Sequence, residues 1–166
     1  MTSRSVSPWL AVRGVAWTLL PFIVAGYVPW TFFGLSDARV DVSNPVHWLG
    51  LVLMASGATL LLTCIWEFAA SGRGTLGPPD PPKALVVRGL YRYVRNPMYL
   101  SVATLLIGED LLVQKLPLLL YFVIWFAFVN FFVLAYEEPA LRAKFGDSYE
   151  QYTRSVGRWL PHLSHR

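Results

Sequence analysis

The sequence predicts an all-α polytopic membrane protein, with about four transmembrane helices and a C-terminal cytoplasmic helical lid. Three observations carry this. The chain is 55% hydrophobic and only 14% charged, against roughly 25% charged in ordinary soluble domains, so 166 residues cannot hide that much apolar surface from water. Apolar runs of bilayer length recur along it. The basic residues gather in alternate connecting segments.

The first run, "GVAWTLLPFIVAGYVPWTFFGLS", lies between Arg13 and Asp37 without a charge. The second, beginning near "NPVHWLGLVLMASGATLLLTCIW", lies between Asp41 and Glu67. Another, "LPLLLYFVIWFAFVNFFVLAY", fills the interval from Lys115 to Glu137. Each supplies the roughly 20 apolar residues that a crossing needs. Between the second and the last lies "PMYLSVATLLIGEDLLVQKL", whose charge-free core from Asn96 to Gly108 is short. It can cross only if Glu109 and Asp110, read as loop residues, sit near the far interface, or if its neighbours partly shield it.

Sidedness follows from the cations. Arg4 and Arg13 precede the first run; Arg73, Lys83, Arg88, Arg92 and Arg95 follow the second; Arg142, Lys144, Arg154, Arg158 and Arg166 follow the last. The other two connections hold one cation each, Arg39 and Lys115. Positive residues stay cytoplasmic, so four crossings with both termini inside fit every segment. Trp9, Trp30, Trp48, Trp66, Tyr99, Tyr121 and Tyr136 fall near the expected ends, as an interfacial belt requires. The N-terminal apolar run is too long for a signal-peptide core and shows no cleavage site. Cys64 stands alone in an apolar run and reads as a small buried hydrophobe. His47, His162 and His165 have no metal-ligand spacing.

Two segments lie between or after the runs on the cytoplasmic side. In the first, "GPPDPP" excludes helix and reads as an extended linker. It leads into "GLYRYVRNPMYLS", where Arg88, Arg92 and Arg95 are spaced four and three and would share one face of a helix. Pro97 suits the first turn of the following span. In the second segment, Leu141, Phe145, Tyr149, Tyr152 and Val156 recur at helical spacing. Gly146 and Asp147 bend that helix, whose apolar face lies on the membrane or against the first segment. Glu67 reads as an interfacial anchor, and Asn130 as an interhelical hydrogen-bond group.

The third and fourth runs form one hairpin, so "YRYVRNPMY" and the adjacent Glu137 and Glu138 meet at one depth. Carboxylates at the lip of the hydrocarbon are costly unless paired or functional. Arginine can grip a carboxylate, and a carboxylate can hold an ammonium or ribose hydroxyls, so this constellation suits a polar zwitterionic cofactor. Adjacent helical residues point about 100° apart, so only one of the two glutamates is expected in the pocket, and Glu138 is the choice.

The strip "LVVRGLYRYVRNPMYLS", an apolar hairpin, and then "EEPALRAKFGDSYEQYTRSVGRWLP" resemble the isoprenylcysteine carboxyl methyltransferase family and the related phospholipid methyltransferases. The shared positions are Gly89, Tyr91, Val94, Arg95, Pro97 and Tyr99, then Glu137, Glu138, Phe145, Gly146, Tyr149, Tyr152, Arg158 and Pro161. The resemblance covers residues 85–163, taken as the methyltransferase-like half of a single membrane domain (1–166); residues 1–70, holding the first two spans, carry no such signature.

What the resemblance implies is an integral membrane methyltransferase that uses S-adenosyl-L-methionine at the cytoplasmic face. Carried over residue by residue, Arg95, Asn96, Tyr99, Glu137, Glu138, Gly89 and Tyr91 would bind the cofactor, with Glu138, Glu137 and Arg95 in the chemistry. Arg142, Tyr149, Tyr152 and Arg158 would be lid or substrate contacts. The implied partners are the bilayer and a lipophilic or small methyl acceptor (carboxylate, amine, hydroxyl or thiol), with no nucleic acid and no metal. The family histidine is Asn96 here, and an amide cannot act as a base near neutral pH. Leu90 stands where many members have proline. Two other readings share these features: an NADPH-dependent enzyme like the sterol reductases that resemble this family, and a non-catalytic membrane scaffold or heme-pathway accessory protein.

Overall fold

The computed structural model describes residues 19–71, 85 and 87–162, without the side chains of residues 68–71. The proline-rich linker, Arg73, Lys83, the N-terminal arginines and Arg166 lie outside the described residues.

The first apolar run gives α1 (Leu19–Phe32). It is not a regular helix. Pro29 has no N–H to offer the preceding turn, and the chain widens into a π turn over Ile23–Tyr27 with Ala25 out of helical geometry (φ −106°, ψ 20°). Val28 N–H reaches back to the Ile23 carbonyl, so the Val24 carbonyl loses its usual donor. Residue 29, the next in line, has none. The Tyr121 hydroxyl donates to Val24 O instead, at 3.1 Å.

The second run gives α2 (Pro45–Ser71), and the segment after "RN" gives α3 (Pro97–Val113), with Pro97 in its first turn as the sequence implied. These two helices make the closest pairing in the molecule. A Cβ on Gly50 would come within 2.8 Å of the Gly108 carbonyl, and one on Gly57 within 2.9 Å of the Ser101 carbonyl. Small residues at such a crossing let two backbones approach, which is how apolar helices gain contact where lipid competes equally for side chains.

α3 continues through Glu109 and Asp110 to Val113, where Gln114 turns left-handed (φ 51°) and stops it. The two acids are therefore helical and not in a loop. Glu109 is only 2% exposed, next to Gly108, where α3 meets Gly50 of α2. Two residues later α4 (Leu116–Phe132) begins, and this short connection makes α3 and α4 the antiparallel hairpin expected.

α4 passes without interruption through a π turn (Val133–Glu137) into α5 (Glu138–Phe145). Pro139 stands two residues after this wide turn, as Pro29 stands two after the first. Gly146 (φ 51°) then bends the chain into α6 (Asp147–Ser155), at the expected place.

Among the described residues two helices are long and apolar enough to cross a membrane: Pro45–Glu67 within α2 and the continuous rod Leu116–Phe145. Only 22% and 17% of their most apolar stretches are buried by protein. Leu120, Ile124, Phe128 and Phe131 project outwards. The interior cluster of Ala25, Leu61, Val102 and Leu106, flanked by Tyr121, Phe122 and Trp125, ties α1 to the α2–α4 bundle. A second, separate cluster of Tyr149, Tyr152 and Val156 packs with Leu85, Leu141 and Phe145. The apolar face of the tail thus closes on the segment that precedes α3, one of its two expected positions.

Candidate functional site

The strip before α3 is not a helix. Gly89 takes φ 53° and opens a single 3-10 turn, Gly89–Arg92. Its Cα lies against the Glu67 carboxylate, so any side chain at position 89 would collide with Glu67. Val94 then forms an isolated parallel bridge to Gly157. The shared helical face expected for Arg88, Arg92 and Arg95 is therefore absent, because the positive φ at Gly89 and the restriction that Pro97 places on Asn96 leave room for only one turn. Arg88 and Arg92 are exposed, while Arg95 turns inwards.

Arg95 is held from three sides. Its N–H donates to Gly157 O at 2.8 Å. Its Nη1 donates to Glu138 Oε1 at 2.9 Å and to the Tyr149 hydroxyl at 3.4 Å. Arg158 grips the same carboxylate in bidentate fashion, Nε to Oε1 at 2.7 Å and Nη2 to Oε2 at 3.0 Å. Arg142 is more remote, 4.0 Å from Glu138, and pairs with Glu150 at 2.8 Å. Glu138 is 4% exposed; two guanidinium groups with direct hydrogen bonds are what make a buried carboxylate tolerable. The bond to Glu138 in turn raises the Arg158 pKa.

Glu137 has different company. It accepts a hydrogen bond from the Tyr99 hydroxyl at 3.1 Å, and no ion pair reaches it among the described residues. Both glutamates line the same cleft, against the expectation that one would turn away. The wide turn that ends at Glu137 displaces the chain just where the pair begins, so regular α-helical spacing does not apply.

The cleft is lined by Tyr91, Arg95, Asn96, Glu137, Glu138, Tyr149 and Tyr152, closed over by Leu85, Val133 and Leu141. Burial holds the hydroxyls of Tyr91, Tyr149 and Tyr152 above the ordinary tyrosine pKa, so they stay protonated. Tyr152 donates to the Tyr91 carbonyl at 2.7 Å, which pins α6 to the strip. Asn96 is 7% exposed and makes no side-chain capping bond to α3. Arg95 Nε is buried without a hydrogen-bond partner. Both residues line the cleft.

Tyr99 does not line this cleft. Its ring belongs to a neighbouring apolar cavity of about 260 Å³, walled by Leu20, Pro21 and Val24 of α1, Met98 and Val102 of α3, and Trp125, Val129 and Phe132 of α4. Its hydroxyl crosses to Glu137, so Tyr99 and Glu137 mark where the polar and apolar spaces meet. Gly89 does not line the cleft and lies against Glu67. One connection was not visible in the sequence. Trp159 Nε1–H donates to Asn130 Oδ1 at 3.1 Å, so Asn130 bonds the C-terminal tail and not another helix.

Residues 45–148 match the phospholipid methyltransferase family. Over 79 residues the chain is 37% identical to the Protein-S-isoprenylcysteine O-methyltransferase of Schizosaccharomyces pombe, covering 46% of this chain and 33% of that one. Over 63 residues it is 38% identical to an uncharacterized protein of Haemophilus influenzae, covering 38% of this chain and 100% of that one. The match thus spans a third of the length of the S. pombe enzyme. The family match takes in α2 and stops inside α6, so α1 and the segment carrying Arg158 and Trp159 lie outside it.

Proposed function

The chain belongs to the phospholipid methyltransferase family, and from that premise we propose that it transfers a methyl group from S-adenosyl-L-methionine to a lipophilic acceptor at the cytoplasmic lip of the membrane. The observation that carries this is the pairing of two unlike spaces at one point. A polar cleft lined by Arg95, Asn96 and Glu137 adjoins an apolar cavity, and Tyr99, which lines the cavity, donates to Glu137 across the junction.

The residues present fit such a cofactor. The planar fork of Arg95, oriented by Glu138 and Tyr149, would meet the carboxylate of an amino acid. The Asn96 amide can donate or accept beside it. Glu137 offers a carboxylate to a cationic or hydroxyl-bearing part. When bound, the cofactor supplies an electrophilic methyl group on a sulfonium.

The protein's part in such a displacement is alignment, which can contribute roughly 7–11 kcal/mol of the barrier. The walls of the apolar cavity would hold the acceptor's hydrocarbon and exclude water. Glu138, saturated by Arg95 and Arg158, would keep those arginines in place. Glu137, bonded to Tyr99 alone among the described residues, would take the acceptor's proton where the acceptor carries one. α5, α6 and the tail would form the lid.

The test is calorimetric titration of detergent-purified protein with S-adenosylmethionine and with NADPH. The first should bind and the second should not. Arg95→Lys keeps the charge and loses the fork, so the cofactor's affinity should fall about tenfold to a hundredfold, the equivalent of one charge-assisted hydrogen bond. Absence of S-adenosylmethionine binding to the parent would remove the methyltransferase reading.

A further inference from the structure

Three consecutive residues of the tail are fastened to three different parts of the molecule. Gly157 O accepts from Arg95 N–H, Arg158 holds Glu138, and Trp159 donates to Asn130. The first two belong to the cleft. The third reaches α4 seven positions before Glu137, about 10 Å along the helix at an α-helical rise. It also carries an aromatic ring into a space next to the reacting centre. The Trp159 ring lies edge-on to Tyr99, with centroids 6.5 Å apart and planes at 64°, and packs on Phe126 at 5.2 Å.

We propose that Trp159 is a positioning residue: pinned by Asn130, its ring fixes the ring of Tyr99, and Tyr99 in turn fixes Glu137 at the junction of the two spaces. The link from Tyr99 to the reaction rests on the methyltransferase reading. The chain Asn130, Trp159, Tyr99, Glu137 is continuous, each member in contact with the next. The Tyr99 ring borders the apolar cavity, where a neighbour such as Met98 is pliable. An edge-to-face aromatic contact has a preferred orientation, and a hydrogen bond on the indole N–H keeps that ring from turning about its own axis.

Asn130 also makes better sense in this light. It is the one carboxamide in α4, a helix whose other surface is apolar, and an amide there is unfavourable without a partner. Its partner is the tail. The strap is therefore tied both to the cofactor cleft, through Arg158, and to the acceptor side, through Trp159.

The test places 3-fluorotyrosine at position 99 and reads its fluorine resonance in the full-length detergent-solubilised protein, with S-adenosylhomocysteine affinity measured on the same samples. The parent should give one narrow line. Trp159→Ala should broaden or split it, because the ring loses its neighbour. Asn130→Leu removes the polar group from an apolar helix and so should fold at least as well as the parent, yet it should broaden the line as well. Trp159→Phe, which keeps a ring but not the N–H, should fall between. Trp66→Ala, at a residue 73% exposed, should change nothing. S-adenosylhomocysteine affinity should stay within about threefold throughout. An unaltered line in both Trp159→Ala and Asn130→Leu overturns the positioning role. If the parent fails to bind S-adenosylhomocysteine, the methyltransferase reading fails, while the fluorine line still decides whether Trp159 orients Tyr99.

Discussion

Glu137 and Glu138 are neighbours with opposite surroundings, and their substitutions should separate stability from chemistry. Glu138→Gln leaves Arg95 and Arg158 without their shared anion in a site where the three side chains are only 12%, 27% and 5% exposed (Arg95, Arg158, Glu138). Breaking a buried pair from one side costs about 3–5 kcal/mol, so denaturant unfolding in detergent should shift by about 3 kcal/mol. Glu137→Gln retains an oxygen to accept from Tyr99, so stability should change by only about 0.5 kcal/mol, while methyl transfer to any acceptor that must lose a proton should fall sharply. Equal destabilisation by both would show that the two carboxylates share one structural task. The meeting of this pair with Arg95 was legible in the sequence, because a short turn obliges two runs to form a hairpin. That both acids reach the cleft was not legible, since it depends on a wide turn that no periodicity rule anticipates. Trp159 was hidden for another reason: it lies in an irregular tail, where spacing says nothing about which helix a side chain meets.

At the level of the helices, the two π turns have a common cause in the sequence. Each ends two residues before a proline, Pro29 in one and Pro139 in the other. In α1 the consequence is a carbonyl, Val24 O, that only a side chain can satisfy, and Tyr121 does so. Tyr121→Phe should therefore lower stability by about 1 kcal/mol, the usual scale of hydrogen bonds between membrane helices. In a Pro29→Ala background the helix can regain its regular bonding, so the same Tyr121→Phe change should have almost no effect. A double-mutant cycle by denaturant unfolding reads this coupling directly; additive effects would mean that Pro29 does not create the need for Tyr121. The expected helix over Arg88, Arg92 and Arg95 failed by the same kind of local rule. Spacing alone suggested a face, but a glycine at positive φ on one side and a residue before proline on the other confine the backbone between them to one turn.

For the molecule as a whole, the arrangement of the candidate site requires that the strip before α3 and the segment after α4 lie on one side of the membrane. They are joined in space by the Arg95–Glu138 pair, by the Arg95–Gly157 bond and by Tyr152 on the Tyr91 carbonyl. The apolar runs were easy to read because lipid demands only length and composition. Their number is harder, because α3 is a 17-residue helix that rises only about 25 Å, somewhat less than the roughly 30 Å hydrocarbon core, and it carries Glu109 near its end. That carboxyl group is buried in protein, 2% exposed, which allows a short, partly polar helix to lie within the bundle. Four crossings with both termini cytoplasmic then predict a definite labelling pattern. Single cysteines replacing Arg92 and Arg154, both exposed, should react with an impermeant maleimide only from the cytoplasmic side. A cysteine replacing Arg39, exposed in the connection between α1 and α2, should react only from the other side. If positions 92 and 154 label from the same side but position 39 joins them, α2 does not cross and the site survives in a shallower protein. If 92 and 154 label from opposite sides, the arginines and glutamates cannot share a cleft in the membrane, and the proposed cofactor site falls with them.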